Sequence, residues 1–251
     1  MNDFIKTDAF CLKVKPVRNE SAFLLFFTKE LGVISLFQKG FFSVKNSLSG
    51  IIDIGQEVAL LLKQHQNSLF LQETSLITSY NTPDYHSLTL SSFIFELLGS
   101  LPQKMELNSQ YIYALLKTLL SKIYLSSGKF NLILNFEVKL LFELGLTGDP
   151  TICSRCHQLF LAEMQSFSAL GELNFICNNC FNRRIKYSDF SGNERQVILS
   201  WINSRDLNSA SHLGKNSVLK LQKHLNTVFN NMLALKTLKP FMKVMHDEAD
   251  L

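Results

Sequence analysis

Between residues 9 and 78 the apolar residues fall in short runs rich in Phe, Val, Ile and Leu. The runs are Ala9–Val17, Ala22–Lys29, Val33–Lys39, Gln56–Lys63 and Ser68–Ile77. Polar turns separate them at residues 18–21, 30–32 and 65–67. Runs of this length bounded by turn residues predict five strands, enough for a small barrel or sandwich. The second run is apolar on both faces (Phe23, Leu25 and Phe27 against Leu24 and Phe26), so it is expected to be covered on both sides. An OB-type barrel packed on helices meets that requirement.

After residues 81–85, a plausible linker containing Pro83, the period changes. Leu90, Phe93, Ile94, Leu97, Leu98 and Leu101 share one helical face, and Pro102 stops that helix. Asn108 is placed to cap a second helix burying Ile112, Leu115, Leu116, Leu119 and Ile123. A third, Phe130–Leu144, is apolar nearly all round. Asn131, Asn135, Lys139 and Glu143 recur every four residues, which predicts one narrow wet stripe on a central helix ended by Gly145. A helical stretch at Glu194–Ile202 and a last long helix, striped by Val218, Leu221, Leu225, Val228, Phe229 and Met232, follow. The fold class read from this pattern is α+β. Residues 1–80 form the barrel, and residues 81–251 form a helical domain with an insert at about 150–185.

The insert changes the picture because four of the five cysteines lie there, as Cys153-x-x-Cys156 and Cys177-x-x-Cys180. Two such pairs suit one tetrahedral Zn²⁺ held by four thiolates, with no open position for a substrate. The expected cofactor is therefore a structural zinc ion. A redox dithiol would need a βαβ neighbourhood that is missing here. His157 is a weaker substitute ligand, and Cys11 reads as a small core residue.

Charge adds a second feature. Residues 181–251 carry 11 basic and 6 acidic side chains, and no carboxylate occurs from Leu207 to His246. Lys215, Lys220, Lys223, Lys236, Lys239 and Lys243 fall within that span. Either an anionic partner or a solvated helix face accounts for this. No apolar run approaches the length needed to cross a bilayer, and residues 1–8 have no signal-peptide pattern, so a cytoplasmic protein is expected. No phosphate-binding glycine loop, nucleophile elbow, His-Glu-x-x-His or dinucleotide fingerprint occurs. Asp149, Glu137 and Glu143 read as caps or surface charges. The chain reads as a binding protein, not an enzyme.

The same segments carry a resemblance. Arg18-Asn19-Glu20-Ser21, Phe27–Gly32 and Ser35–Gly40 resemble the N-terminal barrel of the bacterial recombination and repair mediator family RecO. Phe136–Gly145, running into Pro150 and Cys153-x-x-Cys156, then Phe167-Ser168, Gly171 and Cys177-x-x-Cys180, are similar to the family's zinc module and the helix leading into it. The resemblance covers residues 9–180 and, loosely, the C-terminal helix. It implies an OB-fold barrel, a helical domain with a zinc insert, and binding and annealing of single- and double-stranded DNA. It also implies partnership with RecR, docking of the acidic tail of single-stranded-DNA-binding protein, and indirect help to RecA. Two departures stand out. Lys39-Gly40 is followed by Phe41-Phe42-Ser43-Val44 before Lys45 restores a charge, so either phosphate contact by this loop is weaker than in the family or stacking on Phe41 or Phe42 compensates. The family's C-terminal basic cluster is replaced by the spaced Lys236, Lys239 and Lys243.

The candidate DNA-binding residues are Lys13, Lys15, Arg18, Lys29, Lys39 and Lys45, on or beside the barrel strands. The candidate partner-binding residues are Lys220 and Lys223, on the rim of the last helix. The alternative function is a protein-interaction adaptor with a structural zinc site and little direct DNA binding. It is distinguished by the absence of salt-dependent affinity for oligonucleotides.

Overall fold

Strand β1 (Asp3–Val17) is long because it serves two partners. Its first half pairs with β4 (Gln56–His65) and its second half with β2 (Ser21–Thr28), all antiparallel. A bulge between Cys11 and Lys13 bends the strand where the partner changes. With β3 (Gly32–Gln38) and β5 (Ser68–Ser79) the order is β3-β2-β1-β4-β5, and β3 approaches β5 to close an OB-like barrel. These features belong to a computed structural model. It describes every residue except 1–2, 45–46, 67, 81–83, 104–106, 124–128, 183, 209–210, 234 and 250–251. Lys45 and the linker proline Pro83 lie outside the described residues.

The strands alternate as their period of two requires. Ala9, Cys11, Leu24, Phe26, Leu36, Val58, Leu60 and Leu62 fill the barrel. Burial pushes the Cys11 thiol up to about 12, so it acts as an apolar core residue. Phe41 corrects an expectation: it is 1% exposed and packs in this core, leaving only Phe42 of the pair partly exposed. The outer face of β2 is covered only in part. Phe27 is buried, but Phe23 is not, because helix α1 (Tyr85–Gly99) packs over the middle of β1 and β2 and stops short of that row.

The chain divides into two compact units, Met1–Ala114 and Leu115–Leu251. In the first, the buried Glu57 of β4 accepts hydrogen bonds from Tyr80 (3.2 Å) and Tyr113 (2.8 Å). The latter sits in α2 (Ser109–Lys122), and Phe10 packs between the two rings. Asp84 caps α1 through the Ser87 amide, and Asn108 caps α2 through the Tyr111 amide.

The second unit holds α3 (Lys129–Glu143), α4 (Gly192–Asn203), α5 (Lys215–Met232) and α6 (Leu238–Ala249). A small hairpin of β6 (Ser166–Ala169) and β7 (Tyr187–Phe190) precedes α4. Gly145, at φ 68°, ends α3, with the Leu146 amide returning to the Leu141 carbonyl.

The predicted wet stripe on α3 is wrong. Asn135, Glu137 and Lys139 are buried, and Phe142 faces solvent instead. Lys139 donates to the carbonyls of Trp201 and Ser204 at the end of α4. Asn131 exchanges hydrogen bonds with the backbone of Leu213. Glu137 accepts from Gln222 of α5 at 3.0 Å. The four-residue period is real, but Asn131 and Lys139 meet neighbouring elements rather than water, and Asn135 is buried. Among the described residues no helix is long and apolar enough to cross a membrane.

Candidate metal centre and nucleic-acid face

The two cysteine pairs sit in turns separated by the β6 strand. The Cys153–Cys156 turn closes with the His157 amide donating to the Cys153 carbonyl at 2.8 Å, and His157 takes a left-handed backbone at φ 58°. The second turn closes with the Cys180 amide donating to the Cys177 carbonyl at 3.0 Å. The Phe167 and Ile176 backbones exchange hydrogen bonds, and this bridge brings the second turn against the first. All four Sγ atoms then lie within 4.8 Å of one another, and Cys156 and Cys177 are 3.7 Å apart. Four sulfurs about 2.3 Å from one Zn²⁺ at tetrahedral angles would be about 3.8 Å apart. The thiols thus fit the ion, and His157 is not part of the cluster.

The backbone prepares these thiols for ligation. Burial pushes the pKa of the Cys153 thiol up, but the amide N–H groups of Cys156, Cys177 and Arg155 outweigh it and bring the thiol down to about 6. The Cys177 amide donates to the Cys153 sulfur at 3.3 Å. Cys180 is pushed up to about 12, chiefly by its hydrogen bond to Cys156, with burial, its hydrogen bonds to Cys177 and Cys153 and, last, repulsion from the Cys153 charge adding to it. A divalent cation removes that repulsion.

Two buried polar side chains, Arg195 and His224, fasten this module to the helices, and the sequence did not mark them. Arg195 of α4 donates to the carbonyls of Pro150, Leu161 and Met164 and lies 4.4 Å from the Phe160 ring centre. Gly192 permits that approach, since any Cβ there would lie 1.9 Å from the Ala162 carbonyl oxygen. His224 of α5 spans the Ser188 hydroxyl at 3.0 Å and the Glu172 carbonyl at 2.6 Å, and burial lowers its basicity. Lys220 pairs with Glu194 at 2.6 Å, and Glu194 also completes the capping box of α4 with Ser191. Lys220 is therefore held within its own unit, whereas Lys223 is exposed.

The barrel carries a different feature. Across β1, β2 and β3 the register aligns Lys15, Phe23 and Phe37 in one row on the outer face, with Lys13, Leu25 and Ser35 in the next. Phe23 is 45% exposed and Phe37 53%, with ring centres 5.2 Å apart. Lys13 and Lys15 are exposed, Arg18 lies in the β1–β2 turn, and Lys39 follows Phe37 by two positions. The structure thus brings Lys13, Lys15, Arg18 and Lys39 around a pair of open rings. Lys29 is at the far end of β2, where its amide bonds to the Asp8 carbonyl. The sequence reading missed Phe23 and Phe37 as a surface pair. The signal was available in the alternation of β2, where Phe23 falls on the face opposite Leu24 and Phe26.

An OB-like barrel joined to a helical region that carries a clustered four-thiol site defines a class of α+β binding protein. Two family models match the chain: "Recombination protein O N terminal" over residues 1–80 and "Recombination protein O C terminal" over residues 82–239. The chain belongs to the recombination protein O family, whose role is DNA repair and recombination. It is similar to the DNA repair protein RecO of Caldicellulosiruptor saccharolyticus, 23% identical over 238 residues, 92% of this chain and 90% of that protein. It is also 27% identical to the RecO of Chlorobium phaeobacteroides over 183 residues, 69% of this chain and 68% of that one. For Alkaliphilus metalliredigens RecO the identity is 27% over 179 residues, 70% and 72% of the two chains.

Proposed function

We propose that this protein is a DNA-binding recombination mediator that holds single-stranded DNA on the outer face of its barrel. The observation that carries this reading is the row Lys15–Phe23–Phe37. Exposed rings stack unpaired bases whatever their sequence, and flanking cations neutralise the phosphates between them. Lys13, Arg18 and Lys39 extend the cationic border, Lys45 is assigned to DNA from the sequence alone, and Lys29 contributes only to a strand long enough to reach the other end of β2. Phe42 takes the stacking role first given to Phe41 or Phe42. Family membership supports the same reading. Residues 1–80 serve as the OB-fold domain and 81–251 as the helical domain, a division at which the two family models also meet.

The four cysteines hold a structural Zn²⁺ that keeps the module folded. Double-stranded DNA, strand annealing, RecR and RecA belong to this reading through the family. The acidic tail of single-stranded-DNA-binding protein meets the carboxylate-free C-terminal region, with Lys223 as the available cation and Lys220 positioning the helix through Glu194. In the test, a fluorescent single strand is titrated across a range of salt concentrations. Phe23→Ala/Phe37→Ala should lose about 1–3 kcal/mol per unstacked base while the salt dependence persists. Affinity unchanged by that double variant would remove the barrel face from the reading, and affinity insensitive to salt would favour the adaptor function.

A further inference from the structure

A second row on the barrel repeats the same chemistry. Phe4 of β1 lies opposite Lys63 of β4, and Lys63 lies opposite Phe70 of β5, so the three share the outer face of the other half of the sheet. Phe4 is 58% exposed and Phe70 50%. Cross-strand neighbours stand about 5 Å apart, so the ammonium sits between two open rings. Exposed phenylalanines on both sides of one lysine are a poor choice for a solvated sheet face. Neither belongs to the barrel core, which Leu60 and Leu62 fill from the opposite side.

We propose that Phe4, Lys63 and Phe70 form a second single-strand site, separate from the Lys15–Phe23–Phe37 row. This proposal rests on the single-strand reading given above. The occupant follows from charge: two rings accept two bases, and the cation between them meets the linking phosphate. A second copy of the chain docked face to face through a two-fold axis would set Lys63 near its own counterpart, a like-charge contact. The patch is bounded along the sheet. The next row, Lys6–Leu61–Glu73, adds one cation and one carboxylate, and the row after it, Asp8–Ala59–Ser75, is acidic. A bound strand therefore crosses the sheet at the Phe4 row rather than running along β1. Eleven residue steps along β1 separate Phe4 from Lys15, about 35 Å of strand contour, so the two rows hold separate segments. One barrel then carries two unpaired strands at once.

The test uses the full zinc-loaded chain and an oligothymidylate of about eight nucleotides, short enough for one OB-type site. Stoichiometric titration at low salt should give one fewer strand per chain for Phe4→Ala/Phe70→Ala than for wild type. Phe23→Ala/Phe37→Ala should likewise lose one, and the quadruple variant both. Lys63→Glu keeps the rings and should weaken the second site about tenfold or more, which guards against loss of fold in the alanine pair. A full complement of strands on both Phe4→Ala/Phe70→Ala and Lys63→Glu overturns the second site. If Phe23→Ala/Phe37→Ala still loses a strand, the first reading survives that result. Should Phe4→Ala/Phe70→Ala change the oligomeric state in light scattering and leave the DNA stoichiometry intact, the row is a self-association face and the proposal fails. A wild-type chain that binds no oligothymidylate overturns both readings together.

Discussion

The two units treat their polar and apolar side chains in opposite ways. The barrel displays phenylalanine: Phe4, Phe23, Phe37 and Phe70 are all about half exposed. The helical unit hides charge: Glu137, Lys139, Glu194 and Arg195 are all buried. Neither arrangement is the cheap one. Open rings forgo the favourable burial of apolar area, about 25 cal/mol per Å². Buried charges lose hydration and stabilise only if every lone pair and proton finds a partner. The difference shows where each unit's polar chemistry is directed. The barrel's lysines and rings face outward and are available to a ligand. The helical unit's Arg195 and His224 face inward and hold the four-cysteine module in place, and Lys139 ties α3 to the end of α4.

The largest effect should come from breaking the metal shell. Cys177→Ser leaves three thiolates and should abolish stoichiometric zinc, melting the module together with the Arg195 and His224 contacts that rest on it. Metal analysis and calorimetry check this, and zinc-free protein of unchanged stability would show that the helical unit needs no ion. Single-strand affinity of the barrel should be little changed, which separates the two units functionally.

A subtler test of the buried charges is pH. Burial raises Glu137 from an ordinary 4.5 to about 8, with the Gln222 hydrogen bond opposing the shift only partly. Among the described residues Glu137 Oε2 and Gln222 Oε1 are both buried without a partner, which leaves a charged carboxylate poorly compensated. Between pH 4.5 and 8 the folded chain therefore binds one more proton than the unfolded chain. Stability falls as pH rises through that window, by up to about 1.4 kcal/mol per pH unit from this group. Glu137→Gln should flatten that slope without disturbing α3, as read by chemical denaturation at several pH values. Lys139 is pulled down to about 8 by burial, so its contribution has the opposite sign and appears only above that pH.

On the barrel side, neutralising Lys39 and Lys45 together should reduce the slope of log affinity against log salt by roughly 1 to 2. An unchanged slope would move the phosphate contacts to the C-terminal lysines. The smallest effect is expected at α5. Lys223→Glu should weaken binding of an acidic, apolar-ended peptide by a few-fold in fluorescence polarisation, with fold and zinc intact. Lys220→Glu is not an equivalent probe, because it would set a carboxylate against Glu194 and weaken the cap of α4.

Much of this molecule was legible in the order of its residues. The period-two runs located all five barrel strands to within a few residues, apart from the early start of β1. Its first residues alternate weakly and gain their place only by pairing with β4. The Cys-x-x-Cys spacing named the four thiols because a closed tetrahedral shell needs nothing else from sequence. Helices α1 to α5 followed from period and caps. The small β6–β7 hairpin and the separate α6 did not, since four-residue strands and a break after Met232 carry no period of their own. Sequence by itself could not say which polar residues on α3 would be wet. A four-residue stripe looks the same whether it faces water or the amides and carbonyls of two other helices. Only the packing of α4 and α5 decided that Glu137 and Lys139 go inside. The same holds for the rings: alternation put Phe23 and Phe37 on the outer face, but the point at which α1 stops covering that face left them exposed. Local pattern is set by covalent order and period, whereas burial depends on which distant surface arrives to cover it.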